Sequence, residues 1–279
     1  MNEETLRAIG RKSDLMKLCE NIRRLISFGN CHIHTDLIAG LPKETLQSFI
    51  HGFNESYALG ADMLQLGFLK LLHGSALRDK EAPFGCRFSP EPPYEVISTD
   101  TMSYSELQLL HTVEKEVDRL HNSGRFRRTL SYALEGSGLT PFELFRFIGE
   151  ELESILPGHS APLDAYTNAL FAVLCRLEGI NEGILRDKML CDRITSNNSG
   201  IIPKSLYIAD SRLKRVKHLL SREFPAEKGT SRNVGILYTE KRVIFCDCGE
   251  YDPVKKEYAV QSKDFDFFGE TFFDFDIDK

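Results

Sequence analysis

No apolar run in the 279-residue sequence approaches the ~18 residues that a membrane-spanning helix requires. The opening segment MNEETLRAIGRKSD also lacks the apolar stretch of a signal peptide, so neither membrane insertion nor secretion is expected. Cysteine is present but unorganised. The thiols are Cys19, Cys31, Cys86, Cys175, Cys191, Cys246 and Cys248, an odd number with no CxxxCxxC or paired CxxC spacing. That argues against a disulfide framework and for a reducing, cytoplasmic setting. Positive charge is short, with 35 Lys and Arg against 41 Asp and Glu, so the molecule as a whole is a poor polyanion binder. Tryptophan is absent, which excludes nothing, and no internal repeat is visible. What is there, 42% hydrophobic and 27% charged residues, is ordinary for a globular chain of one large domain or two smaller ones.

Periodicity organises the chain. Residues 13–28 place Leu15, Leu18, Cys19, Ile22, Leu25 and Ile26 on one helical face, with Ser13 as N-cap and Gly29 as terminator. CHIHTDLIAGLP, residues 31–42, reads as a buried strand. A second amphipathic helix covers 43–59, and MLQLGFLKLL, residues 63–72, is a second buried strand. Strands separated by helices of this length pair in parallel through crossovers. Two strands alone do not make a stable sheet, so the segment reads as the end of a larger α/β barrel or open sheet. Residues 73–103, with Pro83, Pro90, Pro92 and Pro93, are loop-like and carry the expected domain boundary. Helices follow over about 104–122, 125–136, 141–156, 163–177, 180–195 and 210–223, Pro141 suiting a first helical turn. Thr239-Glu240-Lys241 separates two β-rich runs, which predicts a hairpin at about 234–247, with a third short strand at 257–261. The tail alternates acids with phenylalanines.

NEETLRAIGRK, a helix, and then HTDLIAGLPKET form a combination that resembles the second half of the radical S-adenosylmethionine (SAM) core domain. The likeness extends through LQLGFLKLLHGSALR, EPPYEVISTDTMSYSEL and NSGRFRRTL to radical SAM proteins that join a cobalamin-binding domain, the barrel and a C-terminal domain of unknown function. It covers residues 2–135, and more faintly reaches about 260. The resemblance implies roles. Asn2 and Arg11 match the spacing of a pattern in which an arginine holds the SAM carboxylate, which suits a guanidinium fork. Asp36 matches the aspartate that holds the ribose hydroxyls, and Ile38 would line the adenine. The backbone of Gly67, Phe68, Leu69 and Lys70 would close the adenine pocket. Such sites lie at the C-terminal ends of parallel strands.

The sequence departs from that family in one large respect. The CxxxCxxC loop that holds its [4Fe–4S] cluster has no counterpart here, and residue 1 falls where the fourth helix of a complete barrel would start. The resemblance therefore implies a fragment, not catalytic by itself, whose parent uses the cluster, SAM and cobalamin, for methyl transfer or another radical reaction. Its partners would be the missing barrel strands and the cobalamin-binding domain. An open sheet edge would also invite self-association.

Other residues carry two readings each. His32, His34 and Asp36 project from one face of a strand and offer a metal-ligand set, against the plainer reading of packing or pocket lining. Cys246 and Cys248 offer a metal or redox pair, against small buried side chains. Lys204, Arg212, Lys214, Arg215, Lys217, Arg222, Lys228 and Arg232 form a basic stretch, but its few aromatics do not favour nucleic acid over a solvated helix face. The tail phenylalanines, Phe265, Phe267, Phe268, Phe272, Phe273 and Phe275, suggest docking in a groove of this chain or of a partner.

The expected fold is α/β, an incomplete radical SAM TIM-type barrel over residues 1–90, then a mainly helical domain over 91–263 with its hairpin, then the acidic aromatic tail 264–279. The expected function is that of a radical SAM enzyme fragment retaining a vestigial SAM pocket, with no catalytic residue or metal ligand assigned to this chain. The alternative is a free-standing interaction module using the helical domain and the tail.

Overall fold

The computed structural model describes residues 3–75, 77–78, 85–158, 161–227 and 229–271. Asn2, Pro83, Lys228, Phe272, Phe273 and Phe275 lie outside the described residues. In chain order the elements are α1 (Glu3–Ala8), α2 (Leu15–Ser27), β1 (His34–Ala39), α3 (Leu46–Ala58), β2 (Met63–Phe68), β3 (Arg87–Phe88), β4 (Val96–Ser98) and α4 (Tyr104–Glu116). A π-helical turn, Val117–Asn122, continues α4. Then come α5 (Arg127–Ser137), α6 (Pro141–Ile155), α7 (Leu163–Leu174), α8 (Glu182–Ser196), α9 (Leu213–Glu223), β5 (Arg232–Leu237), β6 (Arg242–Asp252) and β7 (Glu257–Asp264). A 3-10 segment over Phe265–Thr271 closes the described chain. No described helix is long and apolar enough to cross a membrane.

The chain divides into two units. One comprises residues 1–122 and 139–150, the other 123–138 and 151–279. Among the described residues the strands form two-, two- and three-stranded sheets, and none closes into a barrel.

In the first unit β1 and β2 pair in parallel, with His34 opposite Met63, Asp36 opposite Gln65 and Ala39 opposite Phe68. α3 makes the crossover. Thr45 caps it, accepting from the Ser48 N–H at 3.2 Å while Ser48 Oγ accepts from the Thr45 N–H. The buried ring of Phe53 meets Phe142 and Phe145 edge-on, at 5.6 and 6.1 Å between centroids. Thr140 and Glu143 form a reciprocal cap at the start of α6, where Pro141 takes the first turn.

The outer edge of β2 is closed by a side chain. Asn122 Oδ1 accepts from the Leu64 N–H at 2.9 Å, and its Nδ2 donates to the Leu64 carbonyl at 3.0 Å. One amide thus copies the two hydrogen bonds of a neighbouring strand, and Asp118 holds it at 2.6 Å. Asn122→Ala leaves a buried N–H and C=O unmatched and is expected to cost about 1–3 kcal/mol in urea unfolding. A loss below ~0.5 kcal/mol would show that water takes over the edge.

Several expectations change here. β1 is not a buried strand: His34, Asp36 and Ile38 are exposed and only Ala39 is buried. β2 ends at Phe68, four residues short of the expected Leu72. α2 buries none of its residues, with Met16 77% and Leu25 44% exposed, and its N-cap is Asp14 rather than Ser13. Periodicity locates the helix correctly, but its apolar stripe is covered only in part, with Leu15, Cys19, Ile22 and Ile26 half-buried. The loop-like stretch holds the short antiparallel pair β3–β4.

In the second unit β5, β6 and β7 form an antiparallel sheet, with the expected turn between Leu237 and Arg242 and a third strand longer than expected. Alternation along β5 and β6 sends side chains to two layers. Val234, Ile236, Val243 and Phe245 pack with Val216 and Leu220 of α9. Leu237, Ile244 and Cys246 pack with Leu190 and Ile194 of α8. Gly235 permits that second layer, because a Cβ there would lie 2.4 Å from Ile194 Cδ1.

Candidate functional site

Parallel pairing sets Asp36 beside Gln65 and Ile38 beside Gly67, and paired residues of a parallel sheet face the same way. His34, Asp36, Ile38, Gln65 and Gly67 therefore share the open face of the β1–β2 sheet. Asp36, Ile38 and Gln65 are exposed and Gly67 is half-buried. Asp36 has no hydrogen-bond or ion-pair partner among the described residues, so its carboxylate is free for a ligand. Of the expected pocket residues, the structure brings Asp36, Ile38 and Gly67 together.

The others lie elsewhere. Phe68 points to the covered face, buried, its ring stacked on the His111 imidazole at 3.6 Å. Leu69 has its backbone committed, its N–H donating to the Ala39 carbonyl and its carbonyl accepting from the Val96 N–H. Lys70 is exposed, and its backbone forms an isolated antiparallel β-bridge with that of Glu95. Arg11 is exposed in the connection between α1 and α2. Its backbone N–H donates to the Leu6 carbonyl, and the hollow beside it is walled by residues between Leu6 and Met16. Among the described residues no hydrogen bond or ion pair joins Arg11 to Asp36.

The loop after β1 holds a group that motif matching alone did not single out. Gly40 turns the chain at φ +77, where a Cβ would lie 2.6 Å from Val96 Cγ1. Glu44 follows, only 8% exposed, with no hydrogen-bond partner on Oε2. Burial pushes its carboxyl up to about 7. Its carbonyl accepts from Thr101 Oγ1 at 2.8 Å, which holds the loop. A carboxyl titrating near neutrality beside the C-terminal end of a parallel strand can give or take a proton at physiological pH. The signal in the sequence was a charge placed between Gly-Leu-Pro and a helix cap.

Several of the remaining candidates make contacts within the chain. His32 and His34 hydrogen-bond to each other, Nδ1 to Nε2 at 2.7 Å. No group of three or more His, Cys, Asp or Glu among the described residues is placed to hold a metal ion. Cys246 is fully buried between α8 and the sheet, and burial pushes its thiol up to about 12, while Cys248 accepts from Asn233 Nδ2. Three arginines of the basic stretch are paired. Arg212 is held by Asp210, Arg222 by Glu223 and Arg232 by Asp247. The tail docks on its own chain as far as it is described: Phe268 is buried against the α9 layer, and Phe267 meets Phe224 at 5.7 Å. Within NSGRFRRTL, Phe126 is buried and its ring meets that of Tyr166 at 6.0 Å between centroids.

Sequence reasoning missed Asp192, a fully buried carboxylate on α8. It accepts from the N–H groups of Arg128 and Thr129 at 3.2 and 2.9 Å and from Thr129 Oγ1 at 2.7 Å. Phe126, at the N-cap position of α5, offers no side-chain bond, so Asp192 caps α5 from another helix. Nothing local in the sequence could have signalled it.

No curated protein matches the chain. The family model described as "Protein of unknown function (DUF4080)" matches residues 82–240. That segment runs from β3 through the turn after β5 and takes in more than half of the chain, which therefore belongs to the DUF4080 family.

Proposed function

We propose that this chain is the C-terminal part of a cobalamin-binding-type radical SAM enzyme, with residues 1–90 as the end of its barrel and with a remnant of the SAM pocket on the open face of β1 and β2. The observation that carries the reading is the free Asp36 carboxylate on the same open face as Ile38 and Gly67, which lie next to the C-terminal ends of two parallel strands. The DUF4080 match supports it, because that domain is associated with B12-binding radical SAM proteins. So does the amphipathic helix α2, none of whose stripe is fully buried and which further barrel elements would cover.

The residues fit SAM in part. Asp36 is able to accept hydrogen bonds from two ribose hydroxyls. Gly67 leaves room for a flat base against the strand, since a Cβ there would meet only the Leu37 carbonyl oxygen, at 3.6 Å. They do not fit a [4Fe–4S] cluster, since the cysteines of the chain have no spacing that supplies three thiolates to one site. The cluster and cobalamin would belong to the parent's other domains, and this chain is assigned no step through them. Its part would be to hold the adenosyl end of SAM.

Calorimetric titration of SAM into the chain tests this. Binding in the millimolar range, about −4 kcal/mol, is expected. Asp36→Ala should weaken it by about tenfold or more, the ~1.5 kcal/mol of a hydrogen bond to a charged group, so that the heats vanish. Equal heats from the two proteins would overturn the assignment.

A further inference from the structure

The second unit contains a cavity of about 290 Å³ enclosed by the end of α8, the loop after it, α9 and β5. Its size is at the lower end of small-molecule pockets, which start near ~300 Å³. Ile194, Ile201, Ile202, Leu213 and Val234 give it an apolar wall, and Tyr207 adds an aromatic ring. The charged residues that line it are all cationic: Arg193, Lys217 and Arg232.

These cations are not equivalent. Arg232 is saturated, bound by Asp247 and by the carbonyls of Leu220 and Phe224. Arg193 is 8% exposed, and donates through Nε to the Ile201 carbonyl at 3.0 Å and through Nη2 to Asp164 at 2.7 Å. Its Nη1 is buried with no hydrogen-bond partner. An unmatched guanidinium nitrogen is costly to bury, by about 1–3 kcal/mol or more. Lys217 is exposed and unpaired among the described residues. Asp164 and Asp247 stand behind two of the three cations, so the cavity keeps about one uncompensated positive charge.

We infer that this cavity binds a small organic oxyanion, a single carboxylate or phosphate head on an apolar body. The head would meet the exposed Lys217 ammonium beside the Arg193 guanidinium of the wall, and the body would lie along the isoleucine wall. A planar fork and a mobile ammonium suit either oxyanion. The site is independent of the SAM reading, being built wholly from the second unit.

Phenyl phosphate and phenylacetate, with benzyl alcohol as the uncharged control, are the probes for calorimetric titration of the full chain. At least one anion should bind and benzyl alcohol should not; which anion binds identifies the head group. Lys217→Glu should weaken that binding at least ~10-fold, and Arg193→Gln should abolish it. Because Arg193 also supports the fold, the exposed Lys217 carries the decision. Lys214→Glu on the same helix, which does not line the cavity, should leave binding unchanged. Failure of both anions to bind at millimolar concentration, benzyl alcohol binding as well as the anions, or equal weakening by Lys217→Glu and Lys214→Glu would each overturn the proposal.

Discussion

Asp192→Ala is expected to destabilise the second unit by about 3–5 kcal/mol, the usual cost of removing one partner of a buried ionic network. Its carboxylate is completely buried, so desolvation raises its pKa, while the bonds from Thr129 and Arg128 oppose that shift. Removing it strands two helix N–H groups and the Thr129 hydroxyl, and leaves Arg128 with Glu257 at 3.0 Å as its remaining carboxylate. Asp192→Asn keeps an acceptor in place and should cost less, about 1–2 kcal/mol. Urea unfolding followed by circular dichroism gives the numbers, with the slope unchanged if only stability has moved. Hydrogen exchange should locate the loss in the first turn of α5. A cost below ~1 kcal/mol for the alanine variant would mean that α5 is held by its packing and not by this cap.

Glu44 should impose a pH dependence of the opposite sense to an ordinary surface carboxylate. Its folded pKa, about 7, lies above the ordinary carboxyl value of 4.5 that holds in the unfolded chain. Between those values the folded state holds the proton more tightly, so its contribution to stability is complete below pH ~4.5 and is lost as pH rises towards 7. The full swing is roughly 3 kcal/mol, from ~1.4 kcal/mol per pH unit. Glu44→Gln removes the swing. The variant should match the wild type near pH ~4 and exceed it by up to ~3 kcal/mol at pH ~8. Parallel stability profiles across that range would show that the carboxyl finds a partner when ionised. If Glu44 serves the same strand end as Asp36, the variant should also alter the pH dependence of SAM binding.

Of the two expected roles for the tail, the structure favours docking on the chain itself for Phe265, Phe267 and Phe268. Phe268 completes the layer formed by Val216, Leu220 and Phe245, and Lys263 lies over the rings of Phe224 and Phe267 at 4.8 and 5.4 Å. Phe268 and the half-buried Phe265 contribute to the core of the second unit, while Phe267 stays exposed at its rim.

The local elements were legible in the order of residues alone. Ser103 with Glu106 and Thr140 with Glu143 are caps whose partners lie three residues apart, so the starts of α4 and α6 could be read directly. The hairpin at Thr239-Glu240-Lys241 was legible for the same reason, since a turn and its flanking alternation are contiguous in the chain. The motif around Asp36 could be read because its residues share one strand and one turn. Which faces are covered emerged only on folding. Asn122 closes β2 at a separation of 58 residues, and Asp192 caps α5 at 63. The apolar stripe of α2 was plain in the sequence, yet none of its residues is fully buried, because periodicity records a face and not its partner. Burial of Glu44 and the unmatched nitrogen of Arg193 were equally out of reach. A charge is costly or useful according to what surrounds it in three dimensions, and its sequence neighbours do not supply that.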